Sequence, residues 1–228
     1  MQKTKIDLDI KDFPASIHPY MQGAVMYDSS CSDHARVYYS DLGYYIKVED
    51  KGLLETEAKV TKLFSRQGLG PEMLLYVSEH KDYMVTREAV GEDCINQRYL
   101  EEPEKLVKAL AETMKYLHGL TVETDIPISA SMKLYEEQGY LDKVKCDTLI
   151  HGDFCLPNIL LKDGEFSSFI DVGAAGMGDR HLDIYWVLWS LNYNLQTDKY
   201  TDLFLDLYGR EHVNMDILKL VAKVEKLD

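Results

Sequence analysis

His151-Gly152-Asp153-Phe154-Cys155-Leu156-Pro157-Asn158, followed by Ile170-Asp171-Val172-Gly173, is the stretch on which the reading of this chain turns. Short apolar runs flank both pieces: Thr148 to Ile150, Asn158 to Leu161 and Phe166 to Ile170. The acids are therefore expected at strand ends, from which side chains reach a cleft. Phosphoryl transfer needs such a set, because one carboxylate must orient the attacking hydroxyl and accept its proton, while an Asn and a second Asp hold magnesium against the phosphates. The step from Asp153 to Asn158 has the catalytic-loop spacing H-x-D-x-x-x-x-N, and Asp171 with Gly173 stands where a D-x-G element follows it. By average residue usage, H-G-D with Asn at that distance arises by chance in roughly one chain per thousand of this length.

Outward from this segment, the first ninety or so residues are strand-rich. Ala35 to Ser40 and Gly43 to Glu49 read as one strand pair, Met73 to Glu79 and Tyr83 to Ala89 as a second. Leu53 to Gln67 between them has helical apolar spacing and a stop at Gly68. Beyond Gly91 the pattern turns helical, with a helix from Pro103 closed by Gly119 and others over about Asp183 to Leu195, Asp198 to Tyr208 and Met215 to Leu227. The fold class expected is α+β, with a small antiparallel-sheet lobe over 1–90 and a mainly helical lobe over 91–228. Gly173, Gly176 and Gly178 read as a mobile connector, and Asp163-Gly164 as a tight turn. Asp179 and Asp183 read as structural, capping a helix or bracing the catalytic loop, and His151 as structural.

Composition narrows the partners. Against 25 Lys and Arg there are 39 Asp and Glu, a formal net charge of −14. Nucleic acid is thereby excluded as a partner bound through a broad basic surface, and a charged small partner is expected to be a cation. No apolar run follows the first lysines and none is long enough to span a membrane, so a cytoplasmic protein is expected. Cys31, Cys94, Cys146 and Cys155 lack metal-ligand spacing, and Cys155 has no nearby base signature that would make it a nucleophile. No P-loop or dinucleotide fingerprint is present.

The sequence resembles the aminoglycoside phosphotransferases, especially their 3′-phosphotransferase branch, through His151 to Asn158 and Ile170-Asp-Val-Gly-Ala-Ala-Gly-Met-Gly-Asp-Arg-His-Leu-Asp-Ile184. The resemblance implies a bilobal, protein-kinase-like fold and transfer of the γ-phosphate of ATP, or GTP, to a hydroxyl of a small cationic molecule, most simply an aminoglycoside. Asp153 would be the catalytic group, Asn158 and Asp171 would hold Mg2+, and Lys47 in the run Tyr44 to Glu49 would grip the phosphates, held by Glu57. Ser32 falls in the nucleotide-positioning loop, and Arg87 and Ala89 in the hinge that meets adenine. Asp153, Glu136, Glu137, Glu225 and Asp228 would line the acceptor side. A monomer is expected.

Three positions depart from that branch. Ala174 stands where an arginine usually follows the D-x-G, Asp33 where the positioning loop usually has a serine, and only Val122 to Asp147 is available for the acidic segment that grips the drug. A shortened, partly acidic wall implies a smaller cationic substrate or a narrower range of antibiotics. The same machinery would also serve a metabolite kinase acting on choline, homoserine or a sugar, and a nucleotide-binding module with little catalysis is the reading from another class.

Overall fold

The computed structural model describes residues 3–30, 35–121 and 126–225. The chain divides into two compact units, Met1–Ala89 and Val90–Asp228.

In the first unit β1 (Thr4–Ile6), β2 (Met26–Asp28), β3 (Arg36–Ser40), β4 (Tyr44–Asp50), β5 (Met73–Ser78) and β6 (Lys81–Arg87) form an antiparallel sheet in the order β1-β2-β3-β4-β6-β5. Helix α1 (Glu55–Arg66) connects β4 to β5. The pleat sorts side chains by parity. Ile46 and Val48 on β4, with Tyr83 and Val85 on β6, pack against Phe13, Ile17 and Met21 from the segment between β1 and β2. The alternate residues face the other way, where Met84 packs with Leu54 and Ala58 of the α1 region and pairs across the sheet with Lys47. The four-stranded sheet expected from sequence is thus extended by β1 and β2. Each is only three residues long, too short to show an alternating pattern.

The second unit carries β7 (Glu92–Asp93), α2 (Gln97–Leu100), α3 (Pro103–His118), α4 (Met132–Glu137), β8 (Thr148–Ile150), β9 (Ile159–Lys162), β10 (Glu165–Phe169), β11 (Gly176–Gly178), α5 (Arg180–Leu195), α6 (Thr201–Tyr208) and α7 (Met215–Glu225). Pro103 starts α3 where its missing N–H goes unused, and Leu106, Val107, Leu110, Ala111, Met114 and Leu117 make its buried face. The β9–β10 hairpin turns through Asp163-Gly164, both at positive φ.

The glycines after Asp171 are not a mobile connector. Gly176, Met177 and Gly178 pair with Ile150, Leu149 and Thr148 of β8, and Met177 also exchanges backbone hydrogen bonds with Pro127 and Ser129. A Cβ on Gly176 would stand 2.5 Å from the Pro127 carbonyl oxygen, so backbone proximity accounts for this glycine. Helix α5 starts three residues before the expected Asp183, at Arg180, with Asp179 as its N-cap.

Candidate active site

The catalytic-loop candidate begins where β8 ends. Gly152 sits at φ +79°, and a Cβ there would lie 2.4 Å from the Ala174 carbonyl oxygen, so the loop can pass beneath residue 174 only as glycine. Asp183, fully buried, holds the turn from below. Its Oδ2 accepts from His151 N (2.8 Å) and His118 Nε2 (3.1 Å), its Oδ1 from Gly152 N (2.8 Å). His118 Nδ1 accepts in turn from the Tyr208 hydroxyl at 2.9 Å. A buried carboxylate is tolerable because three donors surround it.

Asn158 Nδ2 donates to Asp153 Oδ2 at 2.8 Å and to the Asp153 carbonyl at 3.1 Å, which fixes the carboxylate against its own loop. His151 is buried, accepts from Asp153 N through Nδ1 (3.3 Å) and donates from Nε2 to the Ile170 carbonyl (3.1 Å), so the neutral ring carries its proton on Nε2. Ile170 N donates to the Asn158 carbonyl at 3.0 Å, which delivers Asp171 beside Asn158 as the β9–β10 hairpin opens. Asp171 takes the left-handed conformation, φ 54°. Nδ2 of Asn158 is committed to Asp153, which leaves Oδ1 of Asn158 and the carboxylate of Asp171 as the oxygen donors this loop and hairpin end carry. Two hard oxygen donors suit Mg2+, which prefers one or two protein oxygens with waters and phosphate oxygens completing its shell. Among the described residues no cluster of three or more His, Cys, Asp or Glu forms a closed metal cage.

In the first unit Lys47 Nζ donates to both carboxylate oxygens of Glu57 at 2.8 Å, with the side chains 20% and 12% exposed. The strand lysine and helix glutamate are therefore a bidentate, largely desolvated pair. Sequence reading missed the group that sets the helix. Asp82, buried on β6, accepts from Gly52 N (2.9 Å) and Leu54 N (3.0 Å) and so anchors the chain entering α1. Arg87 is exposed, with its backbone N–H bonded to Glu72 O and its side chain paired with Glu72 at 2.8 Å; Ala89 follows β6, half-buried. Ser32 and Asp33 lie outside the described residues.

The candidate acceptor residues are dispersed differently from one another. Glu136 and Glu137 are exposed at the end of α4. Glu225, half-buried at the end of α7, accepts from the Tyr135 hydroxyl at 3.2 Å. Burial pushes its carboxyl above the usual range, the Tyr135 hydrogen bond opposes this, and the Asp153 charge adds to it. Asp228 lies outside the described residues. The Cys155 thiol is pushed up by burial and then by the Asp153 charge, so it stays protonated and is no nucleophile. Ala174 contributes its carbonyl, which accepts from Ser129 Oγ at 2.5 Å.

Asp179 accepts from His181 N (2.9 Å), His181 Nδ1 (2.6 Å) and Lys145 N (2.7 Å). Burial raises its carboxyl, but these hydrogen bonds outweigh burial and leave it below its ordinary 3.8. A carboxyl depressed in the folded state stabilises the fold above 3.8 and loses that contribution as pH falls through the folded value. The stability gap between wild type and Asp179→Asn, measured by urea unfolding, is therefore expected to be widest above about pH 5 and to shrink progressively on acidification. A gap independent of pH would refute the assignment.

The model of the phosphotransferase enzyme family matches residues 145–219, the segment that holds Asp153, Asn158 and Asp171. A probable aminoglycoside 3′-phosphotransferase from Lactococcus lactis is 35% identical over 97% of both chains. An aminoglycoside 3′-phosphotransferase from Niallia circulans is 26% identical over 67% of this chain and 71% of its own. Among solved structures, the aminoglycoside phosphotransferase of Streptomyces rimosus in complex with ADP and streptomycin superposes with a TM-score of 0.76 at 17% identity, covering 96% of this chain and 98% of that one. With the loop, its brace and the following Asp-x-Gly all lying in the matched segment, and a relative aligned along nearly the whole length, the chain belongs to the aminoglycoside phosphotransferase family.

Proposed function

We propose that this protein transfers the γ-phosphate of ATP or GTP, with Mg2+, to a hydroxyl of an aminoglycoside. The observation that carries the reading is the Asn158–Asp153 hydrogen bond at 2.8 Å with Asp171 delivered alongside. It orders a proton-accepting carboxylate and two magnesium-type oxygen donors within one loop and the hairpin end beside it. Asp153 aligns the acceptor hydroxyl and takes its proton. Asn158 keeps that carboxylate in place through Nδ2 and, with Asp171, would hold the cation. Mg2+ when bound neutralises charge on the phosphate oxygens. The first unit, residues 1–90, is the nucleotide lobe: Lys47, aligned by Glu57, takes the α- and β-phosphates, Ser32 belongs to the phosphate-positioning loop, and backbone groups of the Arg87 to Ala89 segment meet the base. Catalysis is mainly alignment and charge neutralisation, since the transferred group passes through a loose transition state.

The acceptor assignment is supported by the relatives' names and by the net charge of −14, and it gives the carboxylates Glu136, Glu137, Glu225 and Asp228 to the acceptor. Global charge favours the approach of a polycation. Among the described residues no helix is long and apolar enough to cross a membrane. The reading includes a monomeric, cytoplasmic enzyme without nucleic-acid or membrane partners. The test is incubation with kanamycin or streptomycin, ATP or GTP and Mg2+, followed by mass spectrometry of the acceptor and assay of nucleoside diphosphate. Expected is diphosphate release that depends on the acceptor, with one phosphoryl group gained per product molecule. Phosphorylation of choline or homoserine with no reaction of aminoglycosides would transfer the assignment to a metabolite kinase.

A further inference from the structure

A cavity of about 570 Å³ opens in the second unit between the segment entering β8, the first turn of α5 and the loop that leads into α7. It lies away from the transfer site. β8 runs from the cavity to the catalytic loop, and the four steps from Asp147 to His151 cover about 13 Å of extended chain. The cavity meets α7 at Ile217, about 12 Å of helix before Glu225.

A chain of hydrogen bonds ties the three segments together as its floor. Asp179 accepts from Lys145 N (2.7 Å) and from His181 Nδ1 (2.6 Å), and Nε2 of the same ring accepts from Asn214 N (2.8 Å). Asp179 and His181 are both buried, so the floor is a satisfied polar network that holds its shape.

The walls carry charge of both signs. Lys143, Lys145 and Asp147, alternate residues of the approach to β8, all line the cavity, as the period of an extended run requires. Arg180, Glu211 and His212 add charge from the other two segments. Arg180 is held by two neutral partners, Thr148 Oγ1 at 3.3 Å and the Tyr208 hydroxyl, which preset the guanidinium without neutralising it. Lys145 is exposed and, among the described residues, makes no ion pair. In a chain with 39 Asp and Glu against 25 Lys and Arg, a cavity that gathers three of the bases is set apart from the rest of the surface. Asp179 already accepts from three internal donors, so Asp147 and Glu211, both exposed, are the acids left to meet a ligand. Only Val213 and Ile217 of the lining side chains are apolar and none is Phe, Tyr or Trp, which does not suit a flat base and does suit a hydroxyl-rich body.

We infer that this cavity is a second ligand site, separate from the transfer site, that takes an amine-bearing phosphate ester: the phosphate on Lys145 and Arg180, the ammonium on Asp147 and Glu211. Lysine and arginine bind phosphate through charge-assisted hydrogen bonds, and carboxylates bind ammonium groups in the same way. A phosphorylated aminoglycoside, the product of the proposed reaction, belongs to this class. That identification rests on the aminoglycoside reading, whereas the site itself does not.

The test is isothermal titration calorimetry on the full chain, with ADP and Mg2+ in excess to fill the nucleotide site. Glucosamine 6-phosphate is the probe, and glucose 6-phosphate, glucosamine and inorganic phosphate are its partial analogues. The probe is expected to saturate and to bind about tenfold tighter than any of the three. Lys145→Ala is expected to raise its Kd about tenfold, and Glu211→Gln to raise it while leaving that of glucose 6-phosphate unchanged. Both residues are exposed and outside the transfer machinery, so kcat and KM for phosphoryl transfer stay within about twofold of wild type. No binding to wild type, an unchanged Kd in Lys145→Ala, or equal affinity for glucose 6-phosphate overturns the inference. Binding of the probe that depends on Lys145, in a protein that phosphorylates no aminoglycoside, upholds the site and overturns only the product as its occupant, so the two readings fail separately.

Discussion

Asp153→Asn is expected to lower kcat for acceptor phosphorylation by about 10²- to 10⁴-fold, the usual range for loss of a positioned proton acceptor. The amide has almost the same shape, and Asp153 is only half-buried, so neither packing nor stability should change much. Its function does change, because an amide cannot take the hydroxyl proton. The replacement also disturbs alignment. Asn158 Nδ2 now donates to Asp153 Oδ2 at 2.8 Å, and an amide NH2 placed there would face a second donor. KM for nucleotide should move little, since the nucleotide contacts assigned above lie on other residues. Steady-state kinetics beside a thermal melt separate these effects. Equal turnover by the two proteins would remove Asp153 from its role.

Asp183→Ala is expected to be the most destabilising single change in the second unit, about 3–5 kcal/mol, the cost of leaving partners of a buried charge uncompensated. It orphans His151 N, Gly152 N and His118 Nε2 in a fully buried position and opens a void besides. Against a total stability of about 5–15 kcal/mol that is a large share. Asp183→Asn keeps one accepting oxygen and should fall between the two. Urea unfolding with coincident circular dichroism and fluorescence measures the loss. A loss under about 1 kcal/mol would mean that Asp183 is incidental to the loop.

What could be read from the sequence follows a physical line. The spacing of Asp153, Asn158 and Asp171 is local, and strand, turn and strand fix it, so it was legible. The helix carrying Glu57 announced itself by period, and Lys47 by its place in a β-branched, aromatic run. Contacts made over long separations were not legible. Nothing in the order of residues says that His118 reaches Asp183 or that Asp82 caps the approach to α1. The glycines of β11 misled because glycine is read as freedom, whereas Gly176 is present to let backbone approach backbone.

The first strand has a bearing on how the sheet behaves in company. β1 is the outermost strand beside β2, and Ile6 and the following Leu8 and Ile10 lie against the apolar face built by Ile46 and Val85. Should those few residues detach, β2 would present a bare row of N–H and C=O groups next to uncovered apolar side chains, the template on which chains pair edge to edge. The short N-terminal strand thus acts as a selvedge: it covers apolar side chains at this margin, and the edge it leaves is only three residues long.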